Sequence, residues 1–468
     1  MTQRIGSATH AELQAIVDAA AAASGSVGGQ VSVIVGEQRA DFVYGLANAE
    51  LQTPMTVDSI VQVGSVTKMF NAAVVLSLVD EGKLDLDTPV IRYLPELVLP
   101  DEAQWTITLR QALSMSSGLD NPPHREFRGD QALARYVGLL RDVPLLFRPG
   151  QGFGYSNPGT CIAGLAAERV AGESWDSLLQ KRIFDPTRLE HAVTLAEELP
   201  YHRVCVGHAP AQNGEPPKVF RPWYFAQAAA PAGLTLAASA RDLASFGQLF
   251  INGGKAEDGT RVLSENATKA MVTPTTDVPI TVPQWGVGSK WGLGPNRADW
   301  GNVAAWGHAG GTFSGGSQLV WFPERRAVLA FTTNTIAAFD ELTAHIFGRF
   351  SAAALGFSAP KFELPGASIP IKNAVRFVGT YARTGLRYEI SESNGGLHYK
   401  EINEGAGIPG EKLGVTVAGD LMALGGERFM LPVPGKPIGV LIAFYGDDGR
   451  GRAANMVVPM YAARRVNE

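Results

Sequence analysis

The chain has 468 residues, of which 45% are hydrophobic and 18% are charged, and this balance argues against a disordered protein. The length is too great for one ordinary compact domain and predicts one large and one small domain, or two to three domains. A net charge of -5 and the absence of long lysine or arginine runs give no electrostatic footprint for a nucleic-acid partner. Cys161 and Cys205 are the only cysteines, which excludes a disulfide scaffold and a multi-cysteine metal site but leaves one bridge between them open.

The N-terminal segment, residues 1–7, lacks the apolar run of a secretory signal, which predicts a soluble, cytoplasmic protein. A mature chain whose signal had been removed would look the same. Residues 11–23 are predicted to form an amphipathic helix with Leu13, Ile16 and Val17 on one face. Its alanine run, Ala19–Ala23, is too short to cross a bilayer, so no membrane association is expected.

The elements predicted after this helix place strands near both ends of a long segment and helices between them. In chain order they are paired strands at 31–35 and 41–45, a short strand at 60–63, a turn at Gly64, a buried helix from Ser65, further helices and loops to about Leu249, a hairpin of strands at 318–322 and 327–332, and a helix at 340–355. This order predicts an α+β fold: one antiparallel sheet assembled from distant segments, flanked by helices and joined to an all-helical region.

The composition changes beyond Leu355. Residues 357–372 contain three prolines and little helix or strand pattern, which is typical of a linker. From about Asn373, short β-like runs recur between glycine turns, with predicted strands at 377–381, 386–390, 396–399, 415–417, 427–431 and 440–444. The chain is therefore predicted to divide into a large domain at 1–356, a linker at 357–372 and a small antiparallel β-barrel or sandwich at 373–468.

Ser65 and Lys68 form the first pair of residues that carries chemistry. A serine and a lysine three residues apart lie on one face of a helix, about 5–6 Å between their Cβ atoms. Serine is a weak nucleophile unless a base takes its proton, and a lysine whose pKa is lowered by burial can be that base. The pattern alone occurs by chance, as Ser358 and Lys361 in the proline-rich stretch illustrate.

Two further motifs follow in the chain. Tyr155-Ser156-Asn157 comes after a glycine-rich loop, and His308-Ala309-Gly310-Gly311 comes just before the predicted hairpin. In this order the three motifs resemble those of the serine β-lactamase and penicillin-binding superfamily, in particular its class C-like branch of esterases, D-aminopeptidases and acyltransferases. Residues 109–119, 231–234 and 239–243 are similar to other stretches of that family, over roughly residues 10–350. The tail resembles the lipocalin-like domain of some relatives.

The chemistry of these residues suits acyl transfer. Ser65 is the predicted nucleophile, Lys68 its base, and Tyr155 a proton shuttle whose pKa neighbouring positive charge would lower. Asn157 could fix Lys68 through its oxygen or hold a substrate amide through its nitrogen. His308, partly charged near pH 7, would hydrogen-bond toward Tyr155 or the substrate. The resemblance further implies an oxyanion hole formed by the amides of Ser65 and Gly311.

Substrate recognition is predicted less sharply. Gly310 lets backbone approach the substrate, whereas Ala309 offers no hydroxyl, so weak recognition of a penicillin-like carboxylate is expected. The loop at 121–129 could form one wall of a pocket. Aromatic side chains could form another wall that takes an acyl group or ring, the candidates being Trp223, Tyr224, Phe225, Trp285, Trp291, Trp300 and Trp306.

The sequence therefore predicts a serine acyl hydrolase that acts on an ester or amide, including short D-amino-acid peptides. One alternative is a transacylase that passes the acyl group to an amine or alcohol acceptor. Another is a binding or sensor module without turnover. The expected partner is a small acyl substrate, with no cofactor or metal, and a role of the C-terminal domain in capping the cleft or in oligomerisation is left open.

Overall fold

A nine-stranded antiparallel sheet joins strands from both halves of residues 1–356. The computed structural model describes residues 4–212, 214–221, 223, 225–393, 395–407, 411–436 and 438–466. In chain order the strands of this sheet are β1 (Gly28–Val35), β2 (Gln38–Asn48), β3 (Thr53–Pro54), β4 (Thr276–Asp277), β5 (Lys290–Trp291), β6 (Asn296–Trp300), β7 (Val303–Thr312), β8 (Gly315–Phe322) and β9 (Ala327–Thr333). Their order across the sheet is β4-β5-β6-β7-β8-β9-β1-β2-β3, which confirms a sheet assembled from distant segments.

Both faces of the central strands are covered by helices. The helices are α1 (His10–Ser24), α2 (Thr67–Asp80), α3 (Leu109–Leu113), α4 (Ala132–Gly138), α5 (Asn157–Ala171), α6 (Trp175–Leu179), α7 (Asp185–Thr187), α8 (Ala240–Ile251), α9 (Glu265–Met271), α10 (Phe339–His345) and α11 (Ser351–Leu355). Val33 on β1 packs in a core with α1 and α10, whereas the next residue, Ile34, packs in a core with α8. This alternation follows from the two-residue period of a strand.

Helix α2 lies at the centre of the helical region. Twelve of its residues, Thr67 to Leu78, are buried, because α5, α6 and α9 pack around it. Asn71 fixes this packing with two hydrogen bonds. Its Nδ2 donates to the Thr160 carbonyl on α5 at 3.1 Å, and its Oδ1 accepts from the Trp175 indole at 2.9 Å. These bonds tie the second turn of α2 to α5 and α6.

The region predicted as all-helical also contains short strands. Ala192–Val193, Ala237–Ala238, Ser59–Gln62 and Arg203–Val204 form a small sheet in that order. Two-residue strands carry too little hydrophobic alternation to be recognised in a sequence. Two five-residue π-helical turns, Gln180–Phe184 and Ile346–Phe350, continue α6 into α7 and α10 into α11. Single 3₁₀ turns include Gly64–Val66 and Gln227–Ala232.

The C-terminal region is a closed eight-stranded antiparallel barrel. Its strands are β10 (Gly379–Arg383), β11 (Leu386–Ser393), β12 (Gly396–Asn403), β13 (Gly414–Gly425), β14 (Arg428–Leu431), β15 (Val440–Tyr445), β16 (Asn455–Val458) and β17 (Tyr461–Val466). Aromatic side chains fill the interior, among them Tyr381, Tyr399, Phe429 and Phe444. The barrel closes where β10 pairs with β17.

The barrel packs directly against the rest of the chain. Met430, Leu441 and Val457 of the barrel share one hydrophobic core with Met115 and Phe153. Hydrogen bonds cross the same boundary: the Asn455 amide donates to the Leu146 carbonyl at 2.8 Å, and the Tyr445 hydroxyl donates to the Phe153 carbonyl at 2.8 Å. Residues 357–373 join the two parts without helix or strand.

Candidate active site

Ser65 lies in the 3₁₀ turn that leads into α2. The turn begins at Gly64, whose φ of +56° a residue with a side chain rarely adopts. Val63 before it is fixed by its amide, which donates to the Leu236 carbonyl at 2.9 Å. Ser65 itself is half-buried and lines a cavity, so its hydroxyl is held at the start of a helix and faces open space.

Lys68 is almost completely buried, with 1% of its surface exposed. Its Nζ donates to Ser65 Oγ at 3.0 Å and to the Ala232 carbonyl at 2.6 Å. Burial lowers the pKa of Lys68 to about 7, against a small opposing effect of Cys161. An amine that is half deprotonated near neutral pH and already touches the serine oxygen can accept the serine proton.

The second acceptor for Lys68 comes from the segment Gln227–Gly233. Gly233 has a φ of +120°, and a Cβ there would stand 2.3 Å from the Gly64 carbonyl oxygen. The segment therefore packs tightly against the turn that carries Ser65. It presents the Ala232 carbonyl to Lys68, so the ammonium has two fixed partners.

Tyr155 covers Lys68. The lysine Nζ lies 4.7 Å from the centroid of the Tyr155 ring. Burial raises the pKa of Tyr155 well above its usual value, and the neighbouring Ser65 side chain offsets only part of this rise. The expected lowered pKa is therefore wrong, because desolvation of the phenolate outweighs the nearby amine. Such a phenol keeps its proton near neutral pH and can donate it.

The loop before Tyr155 is held by Met115 on one side and by the barrel on the other. The Met115 carbonyl accepts a hydrogen bond from the Gly154 amide at 3.0 Å. Met115 itself has a φ of 60°, which is unusual for a bulky residue. The Tyr155 amide donates to the Met460 carbonyl at 3.0 Å. Both sides therefore fix where the phenol points.

Asn157 is the first residue of α5, after the helix cap Ser156, and it lines the same cavity as Ser65. Among the hydrogen bonds of the described residues, those of Lys68 go to Ser65 and Ala232, and none goes to Asn157. The geometry therefore favours the second of the two predicted roles, contact with a substrate amide.

His308 on β7 lies behind Tyr155, with ring centroids 5.9 Å apart. Its Nδ1 hydrogen-bonds with the Ala309 carbonyl, and its Nε2 is buried and has no hydrogen-bond partner among the described residues. Burial and the neighbouring Lys68 lower the pKa of His308 to about 3. The expected partial charge near pH 7 is therefore wrong. Nδ1 carries the proton of the neutral ring and donates it in the hydrogen bond to the Ala309 carbonyl. Nε2 is therefore a hydrogen-bond acceptor.

The end of β7 approaches the serine turn backbone to backbone. A Cβ on Gly310 would stand 1.9 Å from the Val63 carbonyl oxygen and 2.9 Å from the Ser65 nitrogen. A Cβ on Gly64 would stand 2.6 Å from the Gly311 nitrogen. Ser65 and Gly311 thus lie close together and both line the cavity, and the oxyanion hole formed by their amides stays a prediction.

The cavity in front of Ser65 has a volume of about 390 Å³. One wall is the predicted loop, through Asn121, Pro122, His124 and Arg125. A second wall consists of small apolar side chains from the segment 226–234. No aspartate or glutamate belongs to the cavity lining within the part of the chain that the structure describes.

The tryptophans proposed for substrate binding do not line this cavity. Trp306 is 5% exposed and belongs to the core of the helical region, and Trp223 stacks on Phe225 in a separate cluster. Trp291 lies under the site, in contact with Tyr155 and His308. The prediction failed because large aromatic side chains are more often packed in cores than exposed in pockets. Tyr224 lies outside the described residues.

The third wall comes from the barrel, for which the sequence left a capping role open without indicating any residue. Arg383, Thr384, Ala406 and Tyr461 line the cavity together with Ser65. The Tyr461 ring meets the Tyr155 ring edge to face, with centroids 5.4 Å apart. These residues carry no motif and reach the site only through the docking of the barrel, so no local pattern could have identified them.

Metal-binding clusters and membrane-spanning helices are absent from the residues that the structure describes. Over those ranges, no group of three His, Cys, Asp or Glu side chains is arranged to hold a metal ion. Within the same part of the chain, every helix is too short or too polar to cross a membrane.

Comparison with known proteins gives one family. The Beta-lactamase family profile matches residues 13–348. Penicillin-binding protein 4 of Amycolatopsis lactamdurans is 31% identical over 383 residues, which is 80% of this chain and 98% of the relative. A D-aminopeptidase of Gluconobacter oxydans (strain 621H) is 26% identical over 90% of this chain and 77% of its own length.

A solved structure matches over nearly the whole chain. The crystal structure of SurE superposes with a TM-score of 0.80 at 25% identity, covering 97% of this chain and 99% of SurE. SurE with D-Leu superposes with a TM-score of 0.76 over the same shares. The match includes the barrel, since it extends over almost every residue of both chains.

Proposed function

The chain belongs to the beta-lactamase family, and on this premise we propose that it is a serine acyl hydrolase that works through a Ser65 acyl-enzyme. The single observation that carries the proposal is the contact of buried Lys68 with Ser65 Oγ at 3.0 Å under the Tyr155 ring. A nucleophile, a neutral amine and a protonated phenol in contact are what acylation and leaving-group protonation require.

The proposed reaction has two halves. Neutral Lys68 takes the hydroxyl proton of Ser65, and the serine oxygen attacks the substrate carbonyl carbon. The amides of Ser65 and Gly311 stabilise the oxyanion. The carbon–oxygen or carbon–nitrogen bond to the leaving group then breaks as Tyr155 donates its proton, and the proton on Lys68 returns to the phenol. Water repeats the sequence on the acyl-enzyme and releases the acid.

The proposed acyl group is a D-aminoacyl or D-peptidyl group in ester or amide linkage. Support comes from the D-aminopeptidase among the relatives and from the D-Leu complex of SurE. Asn157 would hold the substrate amide next to the scissile bond. A cavity of about 390 Å³ has room for a small acyl group of this kind.

A second candidate is acyl transfer to an amine or alcohol. The observation that favours it is the lack of an acidic side chain among the described residues lining the cavity. Water would have only Tyr155 and Lys68 to activate it, whereas an amine is nucleophilic without a base. The acyl-enzyme would then last long enough to meet an acceptor.

Covalent labelling tests the proposal. A fluorophosphonate should add one label to the purified protein, and intact-protein and peptide mass spectrometry should locate it at Ser65. Ser65→Ala should abolish the label while circular dichroism stays unchanged. Ser358→Ala is the matched control, since it changes the chance serine–lysine pair outside the site. An unlabelled wild type would instead support the binding or sensor alternative.

A partition assay separates the two reactions. Product release from a 4-nitrophenyl ester is followed with and without an added amine or alcohol. Hydrolysis alone gives free acid in both cases, whereas a transacylase gives the amide or ester of the acceptor in preference to acid.

A further inference from the structure

Arg383 of the barrel faces the cavity at Ser65, and we propose that its guanidinium binds a carboxylate on the substrate. The inference rests on the proposed function, because it defines the substrate class for the same site. It adds a recognition element that lies outside the region of the family match, which ends at residue 348.

Arg383 stands at the end of β10 and has no carboxylate partner among the described residues. Its Nε donates to the Tyr388 hydroxyl at 3.2 Å, and its guanidinium lies over the Tyr461 ring at 4.7 Å. Three other arginines of the C-terminal region, Arg376, Arg387 and Arg452, each form an ion pair with an acidic side chain. Arg383 differs from the remaining arginines of this region in lining the cavity at Ser65. Arg383 is thus oriented by two aromatic residues, and the acidic side chain that acts on it electrostatically, Asp120, makes no direct ion pair with it.

The nearest acidic group is already used for another purpose. Asp120 is buried, and its carboxylate accepts from the Thr384 amide at 2.6 Å and from the Asn121 amide at 2.8 Å. These bonds hold the turn after β10 against the loop at 121–129. Asp120 therefore positions Arg383 without forming an ion pair with it.

The surroundings of Arg383 favour an anionic ligand. A half-buried guanidinium without a directly bonded carboxylate costs free energy that a substrate carboxylate would recover, and its planar fork matches the two carboxylate oxygens. The described lining contains no acidic side chain. Asn121 also lines the cavity, and its Oδ1 is buried without a partner, which suits an N–H of the same ligand.

Arg383 and Ser65 line the same cavity of about 390 Å³. The Tyr461 ring links the two places, because it lies 4.7 Å from the Arg383 guanidinium and 5.4 Å from the Tyr155 ring. A substrate anchored at Arg383 therefore reaches Ser65 within a single cavity. The carboxylate could belong to the acyl donor or to the amine that leaves or accepts, and both sources have the same chemistry.

Two assays with Arg383→Gln and Arg383→Lys test the inference and separate the sources. The first compares kcat/KM for 4-nitrophenyl hydrogen succinate with that for its methyl ester, which lacks the charge on the donor. The second measures how an acetyl-enzyme made from 4-nitrophenyl acetate partitions to D-alanine and to D-alaninamide. In each assay, the value for the charged substrate or acceptor is divided by the value for the neutral one, and this ratio is compared between variant and wild type.

We expect Arg383→Gln to lower this ratio by about ten- to a hundredfold in one of the two assays. Arg383→Lys should keep part of the preference, because it retains the charge but not the fork. Arg125→Gln, the matched control at the exposed edge of the cavity, should change the ratio by less than about fivefold. The assay that responds identifies the half of the substrate that carries the carboxylate.

An unchanged ratio in both assays would overturn the inference, provided that the variant still hydrolyses 4-nitrophenyl acetate. An equal loss in Arg125→Gln would also overturn it, since general positive charge would then be the cause. A wild type that no acylating reagent labels at Ser65 would refute the proposed function, and this inference with it. Labelling at Ser65 without any carboxylate preference would refute this inference alone.

Discussion

At the scale of single residues, burial determines the protonation states of the side chains in the site. It lowers the pKa of Lys68 to about 7 and that of His308 to about 3, and it raises the pKa of Tyr155 well above its usual value. The proposed base is therefore available near neutral pH, the proposed acid is protonated, and the histidine is neutral. Because burial disfavours the charged form of each group, it favours Lys68 as the base and Tyr155 as the acid.

The first prediction concerns pH. Acylation by a neutral ester should speed up as pH rises through about 7 and level off above it, because only deprotonated Lys68 takes the serine proton. Stopped-flow release of 4-nitrophenol between pH 5 and 9 measures this. His308→Asn should keep the same midpoint, since His308 does not titrate in this range. A flat profile would contradict the assignment of Lys68 as base.

The second prediction concerns the phenol. Tyr155→Phe should lower kcat by about 10²–10⁴-fold, the usual contribution of a positioned acid or base. Tyr136→Phe is the matched control, because Tyr136 also lines the cavity and is buried, yet has no proposed proton to give. Steady-state kinetics on one ester measures both. Equal rates for wild type and Tyr155→Phe would exclude the shuttle.

The sequence predicted these residue types better than their charges. Ser65, Lys68, Tyr155 and His308 do lie together, because their spacing and order carry the chemistry. The direction of the pKa shift at Tyr155 depends on how much apolar surface surrounds the phenol. That surface includes Trp291 and Tyr461, which come from distant segments, so it could not be derived locally.

At the scale of elements, the site depends on the close approach of β7 to the serine turn. Neither element has room for a side chain at the contact, as the 1.9 Å from a Gly310 Cβ to the Val63 carbonyl oxygen illustrates. The third prediction follows from this contact. Gly310→Ala should displace the two backbones, reduce the free energy of unfolding by about 1–3 kcal/mol and impair acylation.

Thermal unfolding and labelling of Ser65 measure the effect of Gly310→Ala. Gly138→Ala is the control, since a Cβ there meets no atom within 4 Å and φ is ordinary. Gly311→Ala should fold normally, because the new methyl group meets only the flexible end of Ile336 at 3.2 Å. Normal labelling of Gly310→Ala would show that the turn does not need this contact.

Long helices and strands with a clear periodicity of hydrophobic residues were predictable from the sequence. The helix at 11–23, the strand pair at 31–35 and 41–45 and the hairpin at 318–332 lie where their patterns placed them. Two barrel strands, Asn455–Val458 and Tyr461–Val466, were missed. The first is buried on both faces and so shows no alternation, and the second carries two arginines in a strand of six residues.

At the scale of the whole molecule, the barrel is part of the site. It supplies one wall of the cavity, the acceptor for the Tyr155 amide and half of a shared hydrophobic core. Of the two predicted roles, capping of the cleft has this direct support. The division into 1–356, 357–372 and 373–468 stays a prediction. The contact itself was beyond sequence reasoning, because it joins surfaces that share no motif.

The fourth prediction is that truncation after Leu355 inactivates the protein. The apolar surface around Met115 and Phe153 would face water, and Tyr155 would lose Met460 and Tyr461. Labelling of Ser65 and binding of a hydrophobic dye to the truncated chain measure this. Asn455→Ala in the full chain removes one bond across the boundary and should lower stability by about 1 kcal/mol while activity persists. A fully active truncated chain would contradict the prediction.

The pairing of β1 with β9 has a consequence for synthesis on the ribosome. Val35 lies opposite Ala327, so the hairpin of β1 and β2 emerges long before its neighbour in the sheet exists. At ordinary elongation rates the delay is roughly 15 to 60 s. During that time the apolar edge of β1 is open to other chains. We therefore expect newly made molecules to be prone to aggregation until the last third of the chain appears, and refolding from denaturant to be slow and prone to aggregation.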